Sequence, residues 1–321
     1  PDIVLERSCG AMKVCLSRFL ARNNLTHRVA THKAQRDPHE VEGEALDFLA
    51  YIRPHLAGPH RSPNYIINMD QTPVYHAMCS GRTIAKVGVR TANMRVKSGG
   101  AESKRVTLAA CITASGRKVT SMVVFKGKCF VIRQRWLIEK YHSSLLSLCF
   151  LYCTNSTLGK PGGTIATREL PTLPSEMRYR CQEKAWFDED VMMEWVEDCL
   201  GPYVATAPSG IVPLLLLDDF RVHKTGKVVR AIQELGVQVE FIPPGCTGMV
   251  QPVDVGYNKP LKAQFRMRYT DWMLQQDPSL PIPSPDRRQV ASWILAAERA
   301  VTDEVVRNAW RRTGFSYFPE N

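Results

Sequence analysis

Three aspartates each stand just beyond a hydrophobic or turn-forming segment, the placement by which a chain gathers carboxylates around metal ions. They are Asp70 in Asn68-Met69-Asp70-Gln71-Thr72-Pro73, Asp218 after the apolar run Leu214 to Leu217, and Asp254 in Gln251-Pro252-Val253-Asp254-Val255-Gly256. Oxygen ligands suit hard cations such as Mg²⁺, and two ions about 3.5–4 Å apart can activate an attacking oxygen and stabilise a leaving one. A buried trio of acids without cations would instead repel itself, and its pKa values would rise. The pattern points to a metal-dependent nuclease or strand-transfer enzyme acting on DNA. An apolar strand followed by Asp218 also suggests a phosphatase with an Asp nucleophile. That chemistry wants a second Asp two residues on, and Phe220 is there.

The charge balance fits a polyanionic partner. The formal charge is +11, and it is unevenly placed. Met12 to Arg36 carries six Lys or Arg and no acid, and Arg82 to Lys126 carries ten basic residues against Glu102 alone. Each phosphate that such side chains neutralise releases condensed counterions. The ten cysteines include no Cys-x-x-Cys pair, so zinc is disfavoured and reduced, buried thiols are expected. The apolar run Leu145 to Tyr152 is too short to span a bilayer, which needs about 20 residues. No membrane association is expected, and the chain reads as soluble and intracellular.

The elements that must position the three acids follow from periodicity. A basic amphipathic helix carries Met12, Cys15, Leu16 and Phe19 on one stripe, and a second helix is expected over His39–Arg53, ended by Pro54. Tyr65 to Met69 reads as a short strand that delivers Asp70 at its end. Val106–Thr113 and Lys118–Phe125 read as strands joined by a turn at Ala114-Ser115-Gly116-Arg117. Asp188 caps a helix running to Leu200, with Val191, Met192, Trp195, Val196 and Cys199 as its buried stripe. The run Leu214–Leu217 is a strand buried on both faces. A helix over Thr225–Leu235 and a strand over Val237–Ile242 follow, and strand–helix–strand implies parallel pairing in an α/β core. Asp254 lies near the start of a long helix through Trp272, which Pro260 either kinks or begins. Lys259, Lys262 and Arg266 recur there at helical steps and form a basic face beside Asp254.

Taken together, these segments resemble the DDE-type transposases of the pogo, Tigger and jerky group, which are related to centromere-protein-B-like proteins. The motifs that carry the likeness are Asn68 to Pro73, Asp218-Asp219-Phe220-Arg221-Val222-His223 and Gln251 to Gly256. Lys184-Ala185-Trp186-Phe187-Asp188-Glu189 and the tail Val305 to Gly314 add to it. The resemblance implies a ribonuclease-H-like mixed sheet flanked by helices, with a helical N-terminal remnant and a helical C-terminal tail. It also implies that Asp70, Asp218 and Asp254 bind two Mg²⁺ or Mn²⁺ ions. Asp219 stands where relatives carry Asn or Ser. Neighbours in a strand face opposite ways, and Asp218 is taken as the ligand. His223 matches a His often found in the motif.

Arg18 to Leu25 is similar to the end of the helix-turn-helix in centromere-protein-B-like DNA-binding domains, most of which is missing here. The residues expected to touch DNA are Arg18, Arg22, Arg28, Lys104, Arg105, Lys259, Lys262 and Arg266. Relatives run from Phe-Lys-Gly almost directly into Gly-Gly-Thr. Here Cys129 to Lys160, 32 residues, separate Gly127-Lys128 from Pro161-Gly162-Gly163-Thr164. That segment is either an unspliced intron in the gene model or a lineage-specific insertion. The chain is therefore expected to comprise a DNA-binding remnant (1–36), a helical connector (37–63), a catalytic domain (64–275, with the atypical 129–160) and a helical tail (276–321). Its expected activity is that of a nuclear, metal-dependent endonuclease that hydrolyses phosphodiesters and joins 3′-OH ends, working on DNA as a homodimer or higher assembly. A catalytically silent DNA-binding protein of the same descent is the alternative.

Overall fold

The computed structural model of the protein describes residues 14–15, 18–19, 21–23, 38–78, 104–127, 165–277, 280 and 283–315. Arg28, most of the basic block before Lys104, and the segment 129–160 lie outside them. The chain divides into two compact units, residues 1–40 and 41–321. In the first, 14–15, 18–19 and 21–22 are helical and exposed, and Asn23 caps the run by donating from its backbone N and its Nδ2 to the Phe19 carbonyl, at 3.2 and 2.8 Å.

The second unit is built on a six-stranded mixed sheet. Its strands are β1 (Ile66–Tyr75), β2 (Arg105–Thr113), β3 (Met122–Lys126), β4 (Arg178–Gln182), β5 (Leu214–Leu217) and β6 (Gln238–Phe241). The spatial order is β4-β3-β2-β1-β5-β6. Pairing is antiparallel for β1/β2 and β2/β3, and parallel for β3/β4, β1/β5 and β5/β6.

Side-chain alternation along the central strands feeds two hydrophobic cores. Leu215 and Leu217, with Ile67 and Met69, pack toward α2 (Glu189–Trp195) and α3 (Gly226–Glu234). Leu214 and Leu216, with Ile66, pack on the other face, against α1 (Pro38–Leu56), α4 (Asn258–Leu274), α5 (Arg287–Ala300) and α6 (Asp303–Arg312). All four leucines of β5 are fully buried, as expected for a strand covered on both sides. Asp188 caps α2 by accepting from Val191 N at 3.0 Å. Asp286 and Thr302 cap α5 and α6 in the same way, so the tail is helical as expected. Phe265, Tyr269 and Trp272 of α4 meet Trp293 of α5 in edge-to-face contacts at 5.5–6.1 Å.

Three expectations need correction. Asp70 does not end its strand: β1 continues to Tyr75, because β2 pairs with it from Ile67 to Tyr75 while β5 pairs only as far as Asn68. Pro73 is tolerated because it sits where β1 has no neighbour on the β5 side. Pro54 does not end α1, which runs on to Leu56; Ala50, whose carbonyl loses its N–H donor to Pro54, is exposed. The strand expected from Lys118 begins only at Met122, with Lys118 making a single bridge to Ile112. Among the described residues no helix is long and apolar enough to cross a membrane.

Candidate active site

The register of the sheet places the first two acids side by side. Asn68 stands opposite Leu216 in the parallel β1/β5 pair, so Asp70, midway along β1, and Asp218, just past the end of β5, lie two residues further on in the same register. Both continue the even-numbered parity of Leu214 and Leu216, which selects the face shared with α4. Asp219 has the opposite parity and turns away to pair with Lys224, whose ammonium also sits over the Phe241 ring. Of the two adjacent acids, Asp218 is therefore the one beside Asp70.

Asp254 arrives from a different element. Val253–Tyr257 is a five-residue π turn that runs directly into α4, where Pro260 occupies the first turn. Wider turns of this kind recur at functional sites because they re-aim one side chain without ending the helix. Asn68, fully buried, fixes this turn against the sheet. Its Nδ2 donates to the Leu216 carbonyl at 3.0 Å, and its Oδ1 accepts from Val253 N at 3.0 Å. Gly256 fits because any Cβ there would lie 2.5 Å from the Ala309 Cβ of α6. One amide thus ties β1, β5 and the third acid together, and the tail helix closes over the back.

Asp254 and Asp218 lie close enough to act on Asp70. Asp70 is only 8% exposed. Burial, followed by the charges of Asp254 and Asp218 and a carboxyl contact with Asp254, holds its pKa well above the ordinary carboxylate range. Asn258, one helical turn beyond Asp254, bridges the pair by donating from Nδ2 to Asp254 Oδ1 at 2.9 Å and to Asp70 Oδ2 at 3.4 Å. Its own Oδ1 is buried without a partner. Lys262, one turn further on, is half-buried. Desolvation lowers its pKa, and the attraction of Asp70 and Asp254 opposes that shift.

Asp218 is oriented from behind. His223 is wholly buried and places Nδ1 2.7 Å from Asp218 Oδ1, while its Nε2 lies 2.8 Å from Gln71 Nε2. The Gln71 amide nitrogen can only donate, so His223 Nε2 accepts and Nδ1 carries the proton given to Asp218. A histidine that holds a carboxylate through one ring nitrogen is a known way to fix a metal ligand's orientation.

The donor set suits hard divalent cations. All three acids offer oxygen, the charges on Asp70's neighbours disfavour an uncompensated site, and Asn258 leaves an oxygen without a partner. Among the described residues no three His, Cys, Asp or Glu side chains converge on one point closely enough to hold a single ion. A two-ion site needs no such cluster, since each ion takes one or two carboxylates and fills its shell with water and phosphate oxygens.

The remaining residues expected to contact DNA are spread more widely. Arg105 lines a cleft of about 270 Å³ together with Asp70 and Asp218. Lys104 donates to Ser284 Oγ at 3.3 Å. Lys259 is exposed and Arg266 half-buried on α4. Arg18 and Arg22 are exposed in the first unit, with Arg22 Nε donating to the Arg18 carbonyl at 3.3 Å. Sequence reasoning missed Asn258, although its spacing of four from Asp254 is the helical spacing that brings two side chains together. Asn68 and Gln71 were visible only as parts of a motif, because their partners lie about 150 residues or more away.

Residues 103–310 match the model of a family described as DDE superfamily endonuclease. The mouse protein named pogo transposable element with KRAB domain is 25% identical over 311 residues, which cover 93% of this chain and 43% of that protein. The chain thus spans less than half the length of this relative. Two solved structures share the fold at 10% identity and a TM-score of 0.52, each covering 94% of this chain and 67% of the other. They are the Mos1 transposase paired-end complex with left transposon end and the Mos1 mariner paired end complex with Mn. The sheet and its flanking helices are ribonuclease-H-like.

Proposed function

The chain belongs to the DDE superfamily endonucleases, and from that membership we propose that Asp70, Asp218 and Asp254 form a two-metal site that cuts DNA and joins 3′-OH ends. The observation that supports the reading is that carboxylates from three separate elements lie around Asp70, whose pKa is raised first by burial and then by the charges of Asp254 and Asp218. Two Mg²⁺ or Mn²⁺ ions would supply activation of the attacking oxygen and stabilisation of the leaving one. Asp70, Asp218 and Asp254 would hold the ions, with Asn258 steadying Asp70 and Asp254 and His223 fixing the plane of Asp218. Lys262 and Arg105 neutralise the phosphate on either side, and Lys104, Lys259 and Arg266 extend the cationic track. Arg18, Arg22 and Arg28 add non-specific backbone contacts.

The domain plan follows the same reading, with a DNA-binding remnant over 1–36, a connector over 37–63, the catalytic domain over 64–275 and a helical tail over 276–321. Nuclear residence and assembly as a dimer or larger complex on DNA belong to the proposal. The Mos1 paired-end complexes support the choice of transposon-end DNA and Mn²⁺ as first probes.

The test pairs a thermal melt with a nicking assay. Mn²⁺ at about 100 times its dissociation constant stabilises a one-site protein by about 2.7 kcal/mol, a rise of several degrees. The rise should vanish in Asp218→Asn, and Mn²⁺-dependent nicking of supercoiled plasmid should vanish with it. A folded wild-type protein that shows neither response while still retarding DNA would instead be a silent binder.

A further inference from the structure

The cleft beside the carboxylates has an aromatic wall that phosphodiester chemistry does not require. Trp186 is 54% exposed, while its neighbours Ala185 and Phe187 are buried at 1% and 4%. The tryptophan is therefore not part of the core. The backbone is bent to present it: Ala185 has φ of 56°, the left-handed region, a strained conformation for a non-glycine residue. Beside the backbone closure from Ala185 N to the Gln182 carbonyl at 3.0 Å, four side-chain hydrogen bonds hold that turn. Thr107 Oγ1 donates to the Ala185 carbonyl at 2.6 Å, and Gln182 Oε1 accepts from Lys184 N at 2.7 Å and Trp186 N at 3.0 Å. Gln182 Nε2 in turn donates to Asp188 Oδ2 at 3.1 Å.

Phe220 shares the same cleft and is itself braced edge-on against His223, ring centroids 5.5 Å apart at 80°. Pro73 adds an apolar surface, and Arg105, Asp70 and Asp218 are polar members of the same lining. At about 270 Å³ the cleft falls just under the roughly 300–1,000 Å³ of drug-sized sites. That volume holds one planar ring, and a base still inside a duplex has its faces covered by its stacked neighbours.

We infer that Trp186 and Phe220 form a stacking subsite for a single unpaired nucleobase next to the phosphate addressed by Asp70 and Asp218. The inference rests on the proposed nuclease reading and narrows its substrate to DNA whose base at the reacting position is frayed, mismatched or single-stranded. Stacking on an aromatic face is tolerant of base identity, so the subsite selects the unpaired state and not a sequence. Arg105 lines the same cleft and supplies a cation for the adjoining phosphate.

The test uses the full chain in Ca²⁺ and two short duplexes carrying 2-aminopurine at the last position, either paired or mismatched. Wild type should bind the mismatched end more tightly and quench its emission. Trp186→Ala should reduce that preference roughly tenfold and abolish the quenching, with Trp186→Phe restoring part of both. An unchanged preference and unchanged quenching in Trp186→Ala, in a protein that binds and cuts duplex, would overturn the stacking subsite alone. A wild-type chain that binds neither duplex would overturn the nuclease reading and the subsite with it. Trp186 is a surface side chain, so equal melting temperatures separate either result from misfolding.

Discussion

Asn68 accepts a hydrogen bond from the backbone N–H of Val253, 185 residues away, at 3.0 Å. The strand that carries Asp70 and the turn that carries Asp254 are thereby locked in one relative position, with the Leu216 carbonyl of β5 as third partner. Replacing Asn68 with Leu leaves a buried donor and a buried acceptor unpaired. The expected cost is about 2–4 kcal/mol, read as a lower urea midpoint, and the Mn²⁺-induced rise in melting temperature should disappear. A variant with the wild-type midpoint and the wild-type Mn²⁺ response would show that the lock is dispensable.

His223 makes a sharper case, because two substitutions part its roles. Asn at this position can place a donor near the site of Nδ1 and keep the contact with Asp218 Oδ1, whereas Leu cannot. Mn²⁺ affinity, followed by the loss of the free-ion electron-spin signal, should fall about 10- to 100-fold in His223→Leu and by less than tenfold in His223→Asn. Equal losses in both variants would mean that the imidazole serves only to fill space.

Glu298 of α5 gives a pH dependence whose sign is fixed. The carboxyl is buried and accepts from Ser121 Oγ at 2.7 Å and Tyr257 Oη at 3.3 Å. Burial lifts its pKa from 4.5 to about 7, against the opposing pull of those two hydrogen bonds and of Lys118. The folded state therefore holds a proton that the unfolded chain releases, and this group's contribution to stability falls as pH rises from 4.5 to 7. Glu298→Gln keeps an acceptor without the charge. Its stability relative to wild type should climb through that window and level off above pH 7, at a gain on the order of 3 kcal/mol. Denaturant titrations at several pH values check this, and a pH-independent difference would refute it.

The segment 129–160 is expected to be removable. Gly127 packs so close to Ile165 that an added Cβ would meet its Cδ1 at 2.6 Å, and Gly127 N donates to the Gln182 carbonyl at 3.0 Å. The flanks of the excursion therefore already meet at the β3/β4 edge, and a shorter connection closes the same gap at little entropic cost. Deletion of 129–160 should leave the melting temperature within a few degrees and the Mn²⁺ response intact. Insoluble or unfolded product would show that the segment is structural.

What the sequence revealed and what it concealed divide by range of interaction. Local signals were legible: the capping Asp188, the doubly buried β5, the stripe through Trp195 and the turn at Gly116 all emerge from neighbours a few residues apart. The parity rule favoured Asp218, and the structure explains Asp219 by its ion pair with Lys224. The extent of β1 was hidden because it depends on how far β2, about 40 residues later, continues alongside it. Pro54 misled because a proline near an exposed helix end disturbs little. Asn68, Gln71 and Glu298 gave no periodic signal at all, since a buried polar side chain is identified by the partner it finds and not by its spacing.

The contact between Gly256 and Ala309 carries a consequence for biosynthesis. During synthesis Asp70, Asp218 and Asp254 are all made before α6, yet the turn bearing Asp254 is packed against that late helix. Contacts this distant in sequence close last when a chain emerges from its amino end. A nascent or prematurely terminated product that stops short of Ala309 has every acid and no support behind the third. The third acid thus gains its backing only once a helix made after all three carboxylates has docked, so the order of synthesis and the order of assembly of the site differ.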